Sequence, residues 1–334
     1  MSMTISTTSG GNLRCLYRRA ARAVPGLGIA CACLLSLAAC ATRNAGTPAT
    51  DPADMQATFN TPEAAAEAMI AAAEIFDVPA MKKILGPDGV DLVVSEDAVQ
   101  DRNQSLGFAA AAREKTGIVR DPEDPTVAIL TVGADAWPLA IPIVEQDGKW
   151  RFDSEAGRQE TLNRRIGRNE ILAIELCHGY VEAQNEYALE KHDGSQVNQY
   201  AQRVISTPGK QDGLAWQAPD GTWQGPVGEG VARAIAEGYS ASQLPYNGYH
   251  FKVLKGQGSS ASMGEMDFVV KGFMIGGFAL VAAPAEYEVT GIKTFIVCHD
   301  GIVYEKDLGP ETLEAYRTME RYNPDPSWTA VEEE

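Results

Sequence analysis

Between Glu114 and Thr126 the chain changes the period of its apolar residues, and this change restricts its fold more than any other feature. Helix signals precede it and strand signals follow. Thr61-Pro62-Glu63 supplies an N-cap, a proline at the first helical position and an acid in the first turn, leading an alanine-rich helix to Phe76. Asp77-Val78-Pro79 repeats that start for a short helix ending at Gly86-Pro87, and a third helix spans about Asp97 to Glu114. Thr126 to Val132, Trp137 to Val144 and Lys149 to Phe152, the last after the turn Gln146-Asp147-Gly148, read as strands of a meander. Helices followed by an antiparallel meander imply an α+β fold with helices covering one sheet face.

Residues 156–190 carry Leu162, Ile166, Ala173, Cys177, Tyr180 and Tyr187 at helical spacing and predict one long helix, weakened at Gly167 and Gly179. After His192-Asp193-Gly194 a Gly-, Gln- and Pro-rich stretch runs to Gly230, followed by a short helix from Val231 to Gly238. Strand patterns return at Tyr249 to Leu254, Met266 to Lys271, Phe278 to Ala282, Ile292 to Cys298 and Ile302 to Glu305, closed by a helix near Pro310 to Arg321. The simplest architecture is two α+β units with antiparallel sheets, residues 61–155 and 193–334, joined by a connecting helix over 156–192.

The segment ahead of these units reads as an address. Arg14, Arg18, Arg19 and Arg22 precede the apolar run Leu27 to Leu37, which is too short for a membrane span and ends in Leu37-Ala38-Ala39-Cys40. Residues 1–39 are therefore expected to be a lipoprotein signal peptide, with Cys40 the lipidated first residue and residues 40–60 a flexible tether. Ala41 after the cysteine fits sorting to the outer membrane, with the folded part facing the periplasm.

Charge narrows the partners. The chain carries 28 Lys+Arg against 45 Asp+Glu, and losing the signal would remove four arginines and no acid. Such a balance speaks against nucleic acid and against adhesion of the folded part to anionic headgroups. Of the six cysteines, only Cys177 and Cys298 lie beyond the lipidation site, so they are the one candidate disulfide of an oxidising envelope.

Several stretches together resemble one bacterial family. They include Phe59-Asn60-Thr61-Pro62-Glu63-Ala64, Ile84-Leu85-Gly86-Pro87-Asp88-Gly89, Trp137-Pro138-Leu139-Ala140-Ile141-Pro142, Arg165-Ile166-Gly167-Arg168-Asn169-Glu170, Ser206-Thr207-Pro208-Gly209-Lys210 and Thr294-Phe295-Ile296-Val297 with Asp300-Gly301. The family is catalogued as domain of unknown function 2950, and the resemblance covers roughly residues 58–330 without implying an activity. At fold level, residues 59–155 resemble NTF2-like or SnoaL-like units, whose curved sheet often ends in a strand like Gly148 to Phe152. Residues 245–308 loosely resemble the sheet of pilin-type domains. Fold likeness of this kind carries no function.

Candidate sites follow from residue chemistry. Arg164, Arg165 and Arg168 on the long helix could grip an anion, bidentately if a carboxylate, or pair with Glu155, Glu160 and Glu170. Trp216 and Trp223 flank the loop Gln217 to Thr222 and are surface candidates for stacking on sugars or anchoring an interface, whereas Trp137 and Phe251 lie in strand patterns and are expected in the core. Cys298-His299-Asp300 holds the parts of a nucleophilic triad, but strand neighbours point to opposite faces. Cys177, in the apolar stripe, reads as a small hydrophobe. The four histidines show no zinc spacing. His192-Asp193-Gly194-Ser195 stands where the family often resembles a calcium loop, but it has a single carboxylate.

No catalytic residue, metal or cofactor is expected on these grounds. The leading expectation is a lipid-anchored binding or assembly module whose partner is an envelope protein or the cell wall. An envelope hydrolase or transferase using the pocket of the first unit is one alternative, and a secretion- or pilus-associated component another.

Overall fold

Three capped helices come first in the part of the chain that the structure, a computed structural model, describes: residues 56–87, 89–95, 97–228 and 245–332. The expected signal peptide, the expected lipidation site Cys40, most of the expected tether and the helix expected at Val231 to Gly238 lie outside these residues. Helix α1 (Pro62–Glu74) begins where the Thr61 hydroxyl accepts from the Ala64 amide at 3.1 Å. Helix α2 (Val78–Leu85) and helix α3 (Ala98–Glu114) start in the same way from the carboxylates of Asp77 and Asp97. Side-chain caps satisfy amides that a first helical turn leaves unpaired, which is why these boundaries were legible.

The helices bury Met69, Ile70, Met81 and Leu85 against Leu130, Ile143 and Phe152 of an antiparallel sheet. Its strands are β1 (Thr116–Arg120), β2 (Val127–Val132), β3 (Trp137–Pro138), β4 (Ile143–Gln146) and β5 (Lys149–Phe152), in the order β1-β2-β4-β5 with β3 also on β2. Strand β1 was not expected from its sequence; Gly117 brings it against β2, where a Cβ would stand 2.7 Å from the Thr131 hydroxyl. The strand expected from Trp137 to Val144 is two strands, because Pro138 and Pro142 have no amide hydrogen to give a ladder. Asp147 (φ 53°) and Gly148 (φ 71°) make the two-residue turn between β4 and β5.

Helix α4 (Ser154–Tyr187) has 34 residues and is about 50 Å long. Its first turns belong to the first sheet unit. Ser154 donates to the Leu85 carbonyl at 2.7 Å, and Gly157 lies so close to Ile141 that a Cβ would be 2.8 Å from its side chain. Further along, Ala173, Cys177, Tyr180 and Tyr187 enter a second core. One helix thus serves two sheets.

After α4 come β6 (Arg203–Ile205), β7 (Gly213–Gln217) and β8 (Trp223–Gln224), where β7 pairs in parallel with β6 and antiparallel with β8. Then follow β9 (Tyr249–Leu254), two short ribbons, β10 (Gly256–Gln257) with β11 (Met266–Asp267) and β12 (Val269–Val270) with β13 (Phe273–Met274), and the strands β14 (Ala279–Pro284), β15 (Lys293–Cys298), β16 (Val303–Asp307) and β17 (Thr329–Ala330). The second antiparallel sheet runs β17-β16-β15-β14-β9. All six residues of β14 are buried, between α4 and helix α5 (Thr312–Thr318).

Two expected elements are shorter than their sequence patterns. Met266 to Lys271 breaks at the fully buried Phe268, whose amide turns to the Lys255 carbonyl and whose own carbonyl accepts from Ile275 and Gly276. The last helix spans only Thr312–Thr318, since Met319 returns to extended backbone.

Candidate functional site

The C-terminal end of α4 is built to hold a loop. His192 stacks on Tyr187 with ring centroids 3.9 Å apart and donates its Nε2–H to the Tyr187 carbonyl at 2.9 Å. The next residue, Asp193 (φ 50°), takes the Gln211 amide on its carboxylate at 2.9 Å, while the Tyr187 hydroxyl donates to the Gln211 carbonyl. Burial, and then the charges of Asp193 and Asp212, push the Tyr187 phenol up to about 12, so it remains a donor. The segment His192 to Ser195, whose single carboxylate spoke against a calcium loop, is a clamp, and Asp193 is spent on a backbone amide.

The clamped loop is closed on itself. Asp212 accepts from the Thr207 amide at 2.7 Å and from its hydroxyl at 2.8 Å, with Arg203 at 3.6 Å. The Ser206 hydroxyl accepts from the Gly213 amide at 2.8 Å. Within it, Thr207-Pro208-Gly209-Lys210 is a turn with Gly209 at φ 77° and the Lys210 amide on the Thr207 carbonyl. Burial alone would raise the Asp212 carboxyl; the Thr207 amide and hydroxyl, with Arg203, outweigh it and hold the group below the usual carboxylate range.

Facing this loop, β7 and β8 form the other wall. Trp216 donates its indole N–H to the Gln224 side chain at 3.2 Å, and its ring lies 5.6 Å from that of His192. Gly225 (φ +109°) gives the indole its place: a Cβ there would sit 2.4 Å from the Leu214 carbonyl and 2.8 Å from the Trp216 ring. Loop and ribbon enclose an open groove of about 1040 Å³ lined by Thr207, Pro208, Lys210, Gln211, Trp216 and Trp223, among others. Trp216 pairs with Gln224 and Trp223 with Gln217, so the two indoles leave opposite faces of the ribbon. They border one groove without forming a flat platform.

The three arginines also come together. Arg164, Arg165 and Arg168 line a smaller pocket of about 380 Å³ with Asn169, Leu172 and Asn247. Arg164 is committed: it pairs with Glu160 at 2.8 Å, donates to the Pro138 carbonyl at 2.8 Å and lies 5.9 Å from the Trp137 ring. Arg165 and Arg168 are exposed and make no hydrogen bond or ion pair among the described residues. The pairing with Glu170 offered by the sequence is not made, because Glu170 accepts the Ile292 and Lys293 amides at 2.8 and 2.9 Å.

Trp137, expected in the core, is 65% exposed, because its two-residue strand lies at the margin of the first sheet. Phe251 is buried as expected.

The cysteines do not form a bridge. Cys177 and Cys298 are both free buried thiols, each pushed up to about 12 chiefly by burial. Tyr322 lies beside the Cys298 thiol, whereas the His299 ring packs edge-on against Phe268 and Phe278 with its Nδ1 buried and unpartnered. A thiol held neutral beside a tyrosine, with its histidine neighbour turned into an aromatic pocket, is not an activated nucleophile. Among the described residues no group of three His, Cys, Asp or Glu is arranged to hold a metal ion, and no helix is long and apolar enough to cross a membrane.

A family model described as "Protein of unknown function (DUF2950)" matches residues 56–331. No curated protein and no solved structure matches the chain.

Proposed function

The chain belongs to the DUF2950 family, and we propose that it is a lipoprotein acting by binding: the binding part rests on the geometry of its groove, and the anchor at Cys40, the outer membrane and the periplasmic orientation rest on the basic, apolar and Leu37 to Ala41 pattern of its sequence. The observation that carries the binding part is the Trp216 wall: an indole fixed at its N–H by Gln224, backed by His192 and seated over Gly225, bordering an open groove of about 1040 Å³. A fixed indole face costs little entropy to use, and it stacks on the C–H face of a sugar ring. Gln211, Gln217 and Gln224 supply amide donors and acceptors beside it. Lys210 is the one cation of the lining among the described residues. This chemistry suits a polar, ring-bearing polymer, and we assign the groove to a glycan of the cell wall. The likeness of residues 59–155 to NTF2-like units and of 245–308 to pilin-type sheets enters this reading only as scaffold.

The test is co-sedimentation of the protein with purified bacterial cell-wall sacculi. Trp223→Ala, which removes a half-buried indole with no structural hydrogen bond to lose, should abolish pelleting with an unchanged melting temperature. Pelleting that survives in Trp223→Ala and Trp216→Ala alike would overturn the assignment.

A further inference from the structure

We propose that Arg165 and Arg168 form a receptor for a phosphate group, at a second site distinct from the tryptophan groove. The site lies where α4 passes from the first sheet to the second. On one side of it Arg164 is tied to the first unit through the Pro138 carbonyl. On the other, Asn169 donates to the Thr290 carbonyl at 2.8 Å and Glu170 takes the Ile292 and Lys293 amides. Arg165 and Arg168 stand between these two sets of ties, on helical turns fixed at both ends.

The opposite wall is fixed as well. Tyr246 and Tyr249 bridge across Asn247 (φ 48°) and Gly248 (φ 78°), a two-residue reverse turn that places Asn247 in the pocket lining. Gly248 allows that turn to close on α4, since a Cβ there would stand 2.6 Å from the Asn169 amide nitrogen. Leu172 also lines it, and among the described residues the lining has three arginines, two asparagines and no acid.

Charge decides what such a pocket takes. In a chain with 45 acids and 28 bases, unpaired arginines are out of proportion, and the nearby acids are already used: Glu160 by Arg164 and Glu170 by backbone amides. A guanidinium presents five donors in a planar fork, and two forks one helical turn apart suit an anion with three or more oxygens at tetrahedral angles. Asn247 can add an amide donor. A phosphate, free or carried as an ester, meets these demands, whereas a halide cannot use the forks.

The experiment is isothermal titration of the full-length Cys40→Ala chain, which cannot carry a lipid anchor, with inorganic phosphate and with glycerol 3-phosphate. Ionic strength is held constant with chloride. Saturable binding of either ligand is expected, weakened at least tenfold in Arg165→Gln/Arg168→Gln. That variant should retain the parent melting temperature in chloride, because both side chains are exposed and unpaired. Arg165→Lys/Arg168→Lys keeps charge without the forks and should fall between the two. Tighter binding of glycerol 3-phosphate would identify an ester-borne phosphate as the source, and tighter inorganic phosphate a free ion. No saturable heat with either ligand, or equal affinity in the parent and the Gln double variant, would overturn the proposal.

Discussion

Replacing Gln184 by leucine should destabilise the protein far more than a surface position on a long helix would suggest. Gln184 is fully buried on α4. Its Nε2 donates to the Ala201 carbonyl and to the Tyr180 hydroxyl, both at 2.9 Å, and its Oε1 accepts from the Ala201 amide at 2.8 Å. Ala201 is 1% exposed, so leucine leaves both of its backbone groups without a partner and out of reach of water. Each orphaned buried group costs about 1–3 kcal/mol. Two of them give about 2–6 kcal/mol, part of which the added apolar contact returns, so a loss of about 3 kcal/mol is expected. For a body of this size that lowers Tm by about 6–12 °C. Urea denaturation followed by circular dichroism measures it, with Tyr180→Phe as the comparison, because that change deletes one hydroxyl and should cost only about 1 kcal/mol. A Gln184→Leu loss below about 1 kcal/mol, or equal to that of Tyr180→Phe, would refute the account of Gln184 as the partner of the Ala201 backbone.

Gly225→Ala forces a Cβ into a left-handed position 2.4 Å from the Leu214 carbonyl; a loss of about 1–3 kcal/mol, with a shift of Trp216 fluorescence, is expected, and an unchanged spectrum and stability would contradict the seating of the indole. The depressed Asp212 carboxyl contributes stability that is fully present above its unfolded value near about 4 and is lost as pH falls through the lower folded value. Acid titration below about pH 4 should therefore loosen the Thr207 turn, and Asp212→Asn should flatten that acid limb in Trp216 fluorescence; an identical limb in the variant would count against it. Cys177 and Cys298, with thiols raised to about 12, should resist alkylation at pH 8 in the native protein and react after unfolding, as peptide mass spectrometry reads directly. Fast native labelling of Cys298 would reopen a nucleophilic role.

The sequence was most legible where a signal is local. Caps at Thr61, Asp77 and Asp97 and the Asp147-Gly148 turn depend on residues a few positions apart, and each appears where the pattern put it. The long helix followed for the same reason, from a stripe of apolar residues of which Ile166, Ala173, Cys177, Tyr180 and Tyr187 are buried and Leu162 is half-buried. Strand β1 and the broken strands at Trp137 and Met266 were not legible, because their limits depend on what lies across the sheet: the Thr131 hydroxyl for Gly117, the turned backbone of Phe268 for Met266. The arginines and tryptophans were found as residue types. Of their partners only Glu160, one helical turn from Arg164, was legible; Gln224 and Pro138 were not, since packing selects them. The clamp of Asp193 on Gln211 spans 18 residues and had only a turn signature in the sequence, at Asp193-Gly194 and Pro208-Gly209.

Helix α4 explains why both candidate sites lie where they do. A helix of about 50 Å meets the first sheet unit at its start and the second along its later turns, and the residues between are tied to both. Its first turns are covered through Ser154 and Gly157, and its second half through Ala173 to Tyr187. The turn between them buries Ile166 and exposes Arg165 and Arg168, and the last residue of the helix, Tyr187, sits in the second core and stacks on the His192 of the clamp that holds the groove loop. The pocket thus lies between the two cores, and the groove is held from the C-terminal end of the helix. A ligand in the arginine pocket would touch both sheet units through one rigid element, since Arg164 is bound to the Pro138 carbonyl and Asn169 to the Thr290 carbonyl. Phosphate there should slow hydrogen exchange at Ile292 and Lys293, whose amides sit on Glu170, more than at strand β2.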